Sequence, residues 1–247
     1  MKRIAIVLTS HAELGKTGKP TGYYLPEAAH AWRVFTDAGF DVVFVSPRGG
    51  AAPLDPGGQD RGDAANKAFL DDPVVQHGVR HTFRPDDLRG EHLSAIFFAG
   101  GHGTMWDFRE DKALARLATD AARAGAVISA VCHGPAALVD LELDGKKLVA
   151  DQPVTGFSNT SPAFVRTPSF RLSARFLSHA FRVPNRPHRM IAAKHNRMRA
   201  GTGEPPINNS WLRTAPTIVQ TRIAAPTGAR RGIRSRIADA ISMAPVT

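Results

Sequence analysis

Residues 126–135 read AVISAVCHGP and place the only cysteine of the 247-residue chain at the end of an apolar run. The first six residues are short, apolar and partly β-branched, which is typical of a buried parallel strand. Gly134 and Pro135 favour a tight turn into a helix. N–H groups at the start of such a helix would favour a thiolate at Cys132. This arrangement predicts a nucleophile.

A purely structural Cys132 is the alternative, because free cysteines are often buried as small apolar residues. A structural cysteine needs neither an adjacent histidine nor a Gly-Pro helix start. His133 and Gly134 therefore favour the nucleophile.

Strand and helix patterns alternate on the N-terminal side of Cys132. Strands are predicted at 3–9, 41–46, 95–99 and 126–131, and helices at 27–38 and 112–124. This order predicts an α/β fold with a mostly parallel sheet and helices on both faces. Ligands bind such sheets at the carboxyl ends of the strands, where loops 11–24 and 100–103 would meet Cys132. Residues 51–63, rich in Pro, Gly and Asp, are predicted to form a surface loop.

Glu27 begins a predicted helix whose next residues are mostly apolar. A carboxylate at this position interacts favourably with the helix dipole, which would be a structural role. In the functional alternative it packs against the thiol in a partly apolar crevice, which raises its pKa and lets it exchange protons near neutral pH.

Gly100, Gly101 and His102 follow a predicted strand and are candidate pocket residues. Glycines there let backbone N–H groups approach a developing oxyanion. His102 would line the pocket, although a structural histidine is an equal alternative. No two histidines near this crevice have metal-ligand spacing, and no glycine pattern matches a dinucleotide or phosphate loop, so we predict neither metal nor cofactor.

The composition favours a cytoplasmic protein. One cysteine permits no internal disulfide, which fits a reducing compartment. The apolar stretch at the N-terminus is too short for a secretory signal, and no apolar run is long enough to cross a bilayer.

The charge balance changes near Thr160. Residues 161–247 contain 15 Lys and Arg against two acidic residues, whereas residues 1–160 contain 17 against 20. We therefore divide the chain into a core, 1–160, and an atypical basic tail, 161–247. Such a tail would suit nucleic acid or an anionic surface, or it has a different origin from the core.

Several motifs together resemble the ThiJ/PfpI superfamily, whose fold is that of class I glutamine amidotransferases, and within it the glutathione-independent glyoxalases (D-lactate dehydratases), relatives of heat-inducible holding chaperones. The resemblance covers residues 1–159 and rests on VLTS (7–10), TGYYLPEAAH (21–30), FVSPRGG (44–50), AGGHGTMWD (99–107), AVCHGP (130–135) and GFSN (156–159).

The resemblance implies a flavodoxin-like three-layer sandwich and conversion of methylglyoxal to D-lactate. It makes Cys132 the nucleophile, Glu27 its acid/base partner and His133 a second proton shuttle, with backbone N–H groups near Gly101 and His133 as the oxyanion hole. It also implies a small α-oxoaldehyde substrate and a homodimer. Amidotransferase activity is less favoured, because His133 directly follows Cys132 and no synthetase domain is present.

The resemblance ends where the charge balance changes. The family carries an acidic stretch after Gly-Phe-Ser-Asn, one member of which orients the histidine, whereas residues 160–164 hold no carboxylate. One hypothesis is a change of reading frame near Thr160, with a poorly ordered tail and an unpaired sheet edge. A basic arm that binds nucleic acid is the alternative. An uninterrupted gene and a matching intact-protein mass would exclude the frame change.

Three further functions stay open at this point. The first is a holding chaperone or protein deglycase with a redox-sensitive Cys132. In the second, the altered C-terminus makes the chain an inactive member of the family. The third is nucleic-acid binding through the tail, which would depend steeply on salt.

Overall fold

A five-stranded sheet lies at the centre of the structure, a computed structural model that describes residues 2–150 and the backbone of residues 218–219. The described strands are β1 (Arg3–Val7), β2 (Asp41–Val45), β3 (Leu93–Phe98), β4 (Val127–Val131), a hairpin of β5 (Glu142–Leu143) and β6 (Lys146–Lys147), and β7 (Ile218–Val219). The spatial order of the central sheet is β2-β1-β3-β4-β7, in which the first four strands are parallel while β7 is antiparallel to β4.

In the described residues, five helices and three short 3₁₀ turns connect the strands. The helices are α1 (Leu25–Asp37), α2 (Ala64–Asp71), α3 (Pro73–Arg80), α4 (Thr104–Asp107) and α5 (Lys112–Arg123), and the turns are Pro56–Gly58, Pro85–Leu88 and Gly134–Leu138. Aspartate side chains at the N-caps of α2, α3 and α5 accept hydrogen bonds from first-turn N–H groups. These bonds satisfy donors that a helix leaves unpaired at its start.

The pleat of β1 divides the core into two layers. Ile4 and Ile6 pack with apolar residues of α1, α2 and α3, whereas Ala5 and Val7 pack with α5 on the opposite face. Alternate strand residues point to opposite faces, so a strand buried on both sides is apolar throughout. The prediction of a flavodoxin-like sandwich with helices on both faces is confirmed, and the strand order is that of flavodoxin-like folds.

The predicted strands and helices are confirmed to within two residues at their ends. Residues 64–80, for which the sequence analysis predicts no element, form α2 and α3. Pro73 and the capping aspartates Asp63 and Asp72 were the available signals. The predicted surface loop 51–63 is correct except for its 3₁₀ turn at Pro56–Gly58.

Two further expectations need correction. The segment after Cys132 is a 3₁₀ turn rather than an α-helix, because its five residues are too few for a stable α-helix. The edge of β4 is not wholly unpaired, because β7 pairs with Ala130 and Val131.

The described helices include none long and apolar enough to cross a membrane. The predicted boundary at residue 160, the frame change and the nucleic-acid-binding tail lie outside the described residues, apart from the two-residue strand β7.

Candidate active site

Cys132 lies on a strained turn at the carboxyl end of β4. Its φ angle is +55°, in the left-handed region that residues with a side chain rarely adopt. A Cβ atom at Gly134 would collide with the carbonyl oxygen of Phe98, so the chain after the cysteine packs tightly against the end of β3. A strained turn of this kind presents a nucleophile above the edge of an α/β sheet.

Gly100 makes room for the thiol and a carboxyl group to meet. A Cβ atom at this position would lie 2.5 Å from Glu27 Oε2 and 2.7 Å from Cys132 Cβ. Contacts this short do not occur between real side chains, so any larger residue would separate the two groups. The structure thus brings together Gly100, Glu27 and Cys132, from three separate segments.

Glu27 is buried near the start of α1 and accepts a hydrogen bond from the Gly100 N–H at 2.6 Å through Oε2. Burial raises its pKa to about 7, although the bonds with Gly100 and Cys132 oppose the shift. Oε1 is buried and has no hydrogen-bond partner among the described residues. Glu27 therefore exchanges a proton near neutral pH and has one oxygen available for it.

The predicted preference for a thiolate is wrong for the described part of the chain. Burial and the charge of Glu27 raise the pKa of Cys132, and the N–H groups of Gly101 and His133 only partly offset them. A five-residue 3₁₀ turn also supplies less dipole than a helix. To act as a nucleophile, Cys132 would therefore have to pass its proton to a neighbouring base.

His133 lies directly beside the nucleophile, with its Nδ1 3.1 Å from Cys132 Sγ. The residue is buried, and burial together with the charge of His102 lowers its pKa to about 3. The imidazole is therefore neutral near pH 7, which lets it accept a hydrogen bond from the thiol. Of the two bases, Glu27 holds a proton more readily.

His102 forms a second cluster at the mouth of the site. Its ring centroid lies 5.0 Å from that of His133, and its side chain is 37% exposed. His102 Nδ1 lies 3.7 Å from Asp55 Oδ2, which is ion-pair distance but longer than a hydrogen bond. Asp55 also accepts hydrogen bonds from Thr21 Oγ1 and Gly57 N, both at 2.8 Å.

The six predicted site residues lie together at the carboxyl ends of β3 and β4 and the start of α1: Glu27, Gly100, Gly101, His102, Cys132 and His133. The N–H of Gly101 points to the thiol, as a donor of an oxyanion hole should. The catalytic roles of these residues stay predictions.

Asp55 and Tyr24 were missed by the sequence analysis. Asp55 belongs to a segment whose Pro and Gly content indicates only a surface loop. Tyr24 is half-buried, and burial together with the charges of Glu27 and Cys132 raises the pKa of its phenol. Its position three residues before Glu27 was the one available signal.

The described residues contain no cluster of three or more His, Cys, Asp or Glu side chains that could hold a metal ion. The arrangement of a thiol, a carboxyl group that titrates near pH 7 and two imidazoles suits covalent addition followed by proton transfer.

Comparison with known proteins points to one protein family. Residues 21–157 match the DJ-1/PfpI family. The matched region contains all six predicted site residues and ends close to the change in charge balance near Thr160.

Two curated relatives carry glyoxalase names. The chain is 30% identical over 168 residues to "Glutathione-independent glyoxalase HSP31" of Saccharomyces cerevisiae, covering 64% of this chain and 69% of the relative. It is also 30% identical over 171 residues to "Glyoxalase 3" of Candida albicans, covering 64% and 70%.

Solved structures support the same fold. Rapid Encystment Protein 24 KDa of Francisella tularensis is 33% identical with a TM-score of 0.63, over 70% of this chain and 82% of that chain. Glyoxalase III of Candida albicans is 25% identical with a TM-score of 0.64, over 72% and 78%.

Proposed function

Because the chain belongs to the DJ-1/PfpI family, we propose that it is a glutathione-independent glyoxalase that converts methylglyoxal to D-lactate through a covalent Cys132 intermediate. The enzyme would be a lyase of the glyoxalase III type. The observation that carries the proposal is the convergence on Gly100 of a strained cysteine and a buried carboxyl group with a pKa of about 7. The names of the relatives support the substrate class.

The first step is addition of the Cys132 sulfur to the aldehyde carbon, C1. The thiol proton passes to a neighbouring base, a C–S bond forms, and the C1=O π pair moves to the C1 oxygen. This oxygen lies near the N–H groups of Gly101 and His133, which stabilise the negative charge. The product of the step is the anion of a hemithioacetal.

Proton transfer then oxidises C1 and reduces C2. The Glu27 carboxylate removes the C1 hydrogen as a proton, and the C–H pair forms a C1=C2 bond while the ketone oxygen takes up a proton. Glu27 returns its proton to C2, and the C1 oxygen reforms a carbonyl group. C1 is oxidised and C2 is reduced by the same two electrons, so the step needs no external cofactor.

Water completes the reaction by attacking the resulting thioester at C1. The C–S bond breaks, the sulfur leaves with its electron pair and recovers a proton, and lactate is released. Neutral His133, beside the sulfur at 3.1 Å, is placed to accept a proton from this water.

The test is D-lactate formation from methylglyoxal without glutathione, for the full chain and for Cys132→Ser. We expect turnover by the original chain and a rate equal to buffer alone for the variant, because a hydroxyl at this position is a much weaker nucleophile. Circular dichroism should show that both chains are folded. Folded protein without Cys132-dependent loss of methylglyoxal would contradict the proposal.

A holding-chaperone role receives less support from the described residues. Their exposed large apolar side chains are Val74 and Phe83, which form no extended apolar surface of the kind that binds unfolded clients.

A further inference from the structure

The isomerisation above requires two different protons to move, and Glu27 carries only one of them. Between the hemithioacetal anion and the thioester, one hydrogen passes from C1 to C2 and one proton is gained by the C2 oxygen. A carboxylate placed to reach the carbons is poorly placed to serve the oxygen of the ketone as well. A second donor at the mouth of the site would complete the chemistry.

We propose that His102, held by Asp55, donates a proton from Nε2 to the C2 oxygen of the bound α-oxoaldehyde while Glu27 carries the carbon-bound proton. This inference rests on the proposed function. His102 is thus a catalytic residue and Asp55 a positioning residue.

The geometry assigns different tasks to the two imidazole nitrogens of His102. Nδ1 faces Asp55 Oδ2 at 3.7 Å, which leaves Nε2 for another partner. A carboxylate beside one ring nitrogen sets the orientation of the ring and directs the proton of that nitrogen toward itself. Nε2 is therefore the nitrogen of His102 that is left to exchange a proton with the substrate.

Asp55 is built to hold a charge in this position. Its side chain is 16% exposed, and Thr21 Oγ1 and Gly57 N both donate to it at 2.8 Å. Burial favours the neutral acid, but the interactions with His102, Gly57 and Thr21 outweigh it and keep the pKa of Asp55 below its ordinary value. Asp55 is therefore a carboxylate at neutral pH.

His102 also lies close enough to the reacting groups. It follows Gly101, whose N–H points to the Cys132 sulfur, and its ring is 5.0 Å from that of His133 between centroids. Its charge lowers the pKa values of both Glu27 and His133. A substrate bonded to Cys132 would thus lie beside the exposed imidazole of His102.

In the proposed step, the Glu27 carboxylate takes the C1 proton and the C–H electron pair becomes the C1=C2 bond. The C2=O π pair moves to the C2 oxygen and forms an O–H bond with the proton from His102 Nε2. His102 is left neutral and regains a proton from solvent, to which its side chain is open. This proton becomes the hydroxyl proton of lactate.

The experiment compares His102→Asn, His102→Gln and Asp55→Asn with the original chain in methylglyoxal turnover. We expect His102→Asn to lower kcat about 100-fold or more with KM changed less than about threefold, because a lost proton donor acts on the chemical step. His102→Gln, which places an amide N–H nearer the Nε2 position, should recover part of the rate. Asp55→Asn should lower kcat about 10-fold or more.

Two measurements separate this role from a structural one. The isotope effect with C1-deuterated methylglyoxal should increase in His102→Asn, because carbon deprotonation becomes more rate-limiting. The rate of Cys132 alkylation by iodoacetamide should stay close to that of the original chain. His81→Asn, at an exposed histidine that follows the last residue of α3, is the matched control and should leave kcat unchanged.

Each outcome decides between the two proposals. If the original chain lacks Cys132-dependent turnover, the proposed function fails and the role of His102 fails with it. If the original chain is active while His102→Asn and Asp55→Asn keep kcat within about threefold, only the role of His102 is overturned. A His102→Asn chain that does not fold leaves the decision to His102→Gln and Asp55→Asn.

Discussion

Glu27→Gln is expected to abolish turnover and, at the same time, to stabilise the protein above pH 7. The amide cannot accept the C1 proton, so kcat should fall about 1,000-fold or more. The gain in stability follows from the burial of the carboxyl group, whose pKa rises from 4.5 to about 7 on folding. Loss of function and gain of stability in one variant would identify Glu27 as a residue kept for chemistry.

The pH dependence of this gain has a definite sign. Below about pH 4.5 Glu27 is protonated in both the folded and unfolded chain and contributes no difference. As pH rises toward 7, the unfolded chain releases the proton while the folded chain retains it, so the free energy of unfolding decreases. A pKa shift of this size lowers the free energy of unfolding by about 3 kcal/mol at pH 8. Glu27→Gln should recover this stability at pH 8 but not at pH 4.5.

Urea denaturation of both chains at pH 4.5 and pH 8 would measure this difference. Asp107→Asn is the control, because burial raises the pKa of Asp107 to about 6 outside the proposed chemistry. Asp107→Asn should show a stability change of the same sign, but turnover should persist. An equal stability difference between Glu27→Gln and the original chain at both pH values would contradict the assignment.

Gly134→Ala is expected to destabilise the chain by about 3 kcal/mol and to abolish turnover. The added methyl group would overlap the Phe98 carbonyl oxygen and approach the Ala99 carbonyl oxygen at 3.3 Å. Backbone at the end of a central strand cannot easily move away, so the turn that holds Cys132 must shift instead. A displaced nucleophile loses its alignment with the oxyanion donors.

Gly90→Ala is the control that distinguishes the effect of steric overlap from the effect of backbone strain. Gly90 has a φ of +82° and no atom within 4 Å of the added Cβ position, so its replacement should cost only about 1 kcal/mol from the left-handed backbone. Thermal unfolding and methylglyoxal turnover of both variants would test the contrast. A Gly134→Ala chain as stable and active as Gly90→Ala would show that the turn at Cys132 tolerates the methyl group.

The strands and the turn at Cys132 were predictable because their signals are local. A buried parallel strand must be apolar on both faces, so β1 and β4 are visible as continuous apolar runs. Helices α2 and α3 were missed because each is only eight residues long, although α3 is clearly amphipathic. Their aspartate caps were present in the sequence but were not used.

The electrostatics of the site could not be predicted from sequence. The helix-dipole argument for a thiolate considers only the residues around Cys132, whereas the dominant contributions are burial and the charge of Glu27, 105 positions earlier. The pair of Asp55 and His102 likewise joins two loops whose sequences indicate only turns. Contacts between segments that are far apart in the sequence leave no pattern among neighbouring residues.

The sequence by itself determined the α/β order, the family motifs and the candidate nucleophile, because the underlying patterns extend over only a few adjacent residues. The tertiary structure alone decided the electrostatics of the candidate site. It places a glycine where a side chain would separate the thiol from Glu27, buries that carboxyl group until its pKa is about 7, and sets Asp55 beside His102. These properties depend on distance and solvent exclusion, which exist only once the chain is folded.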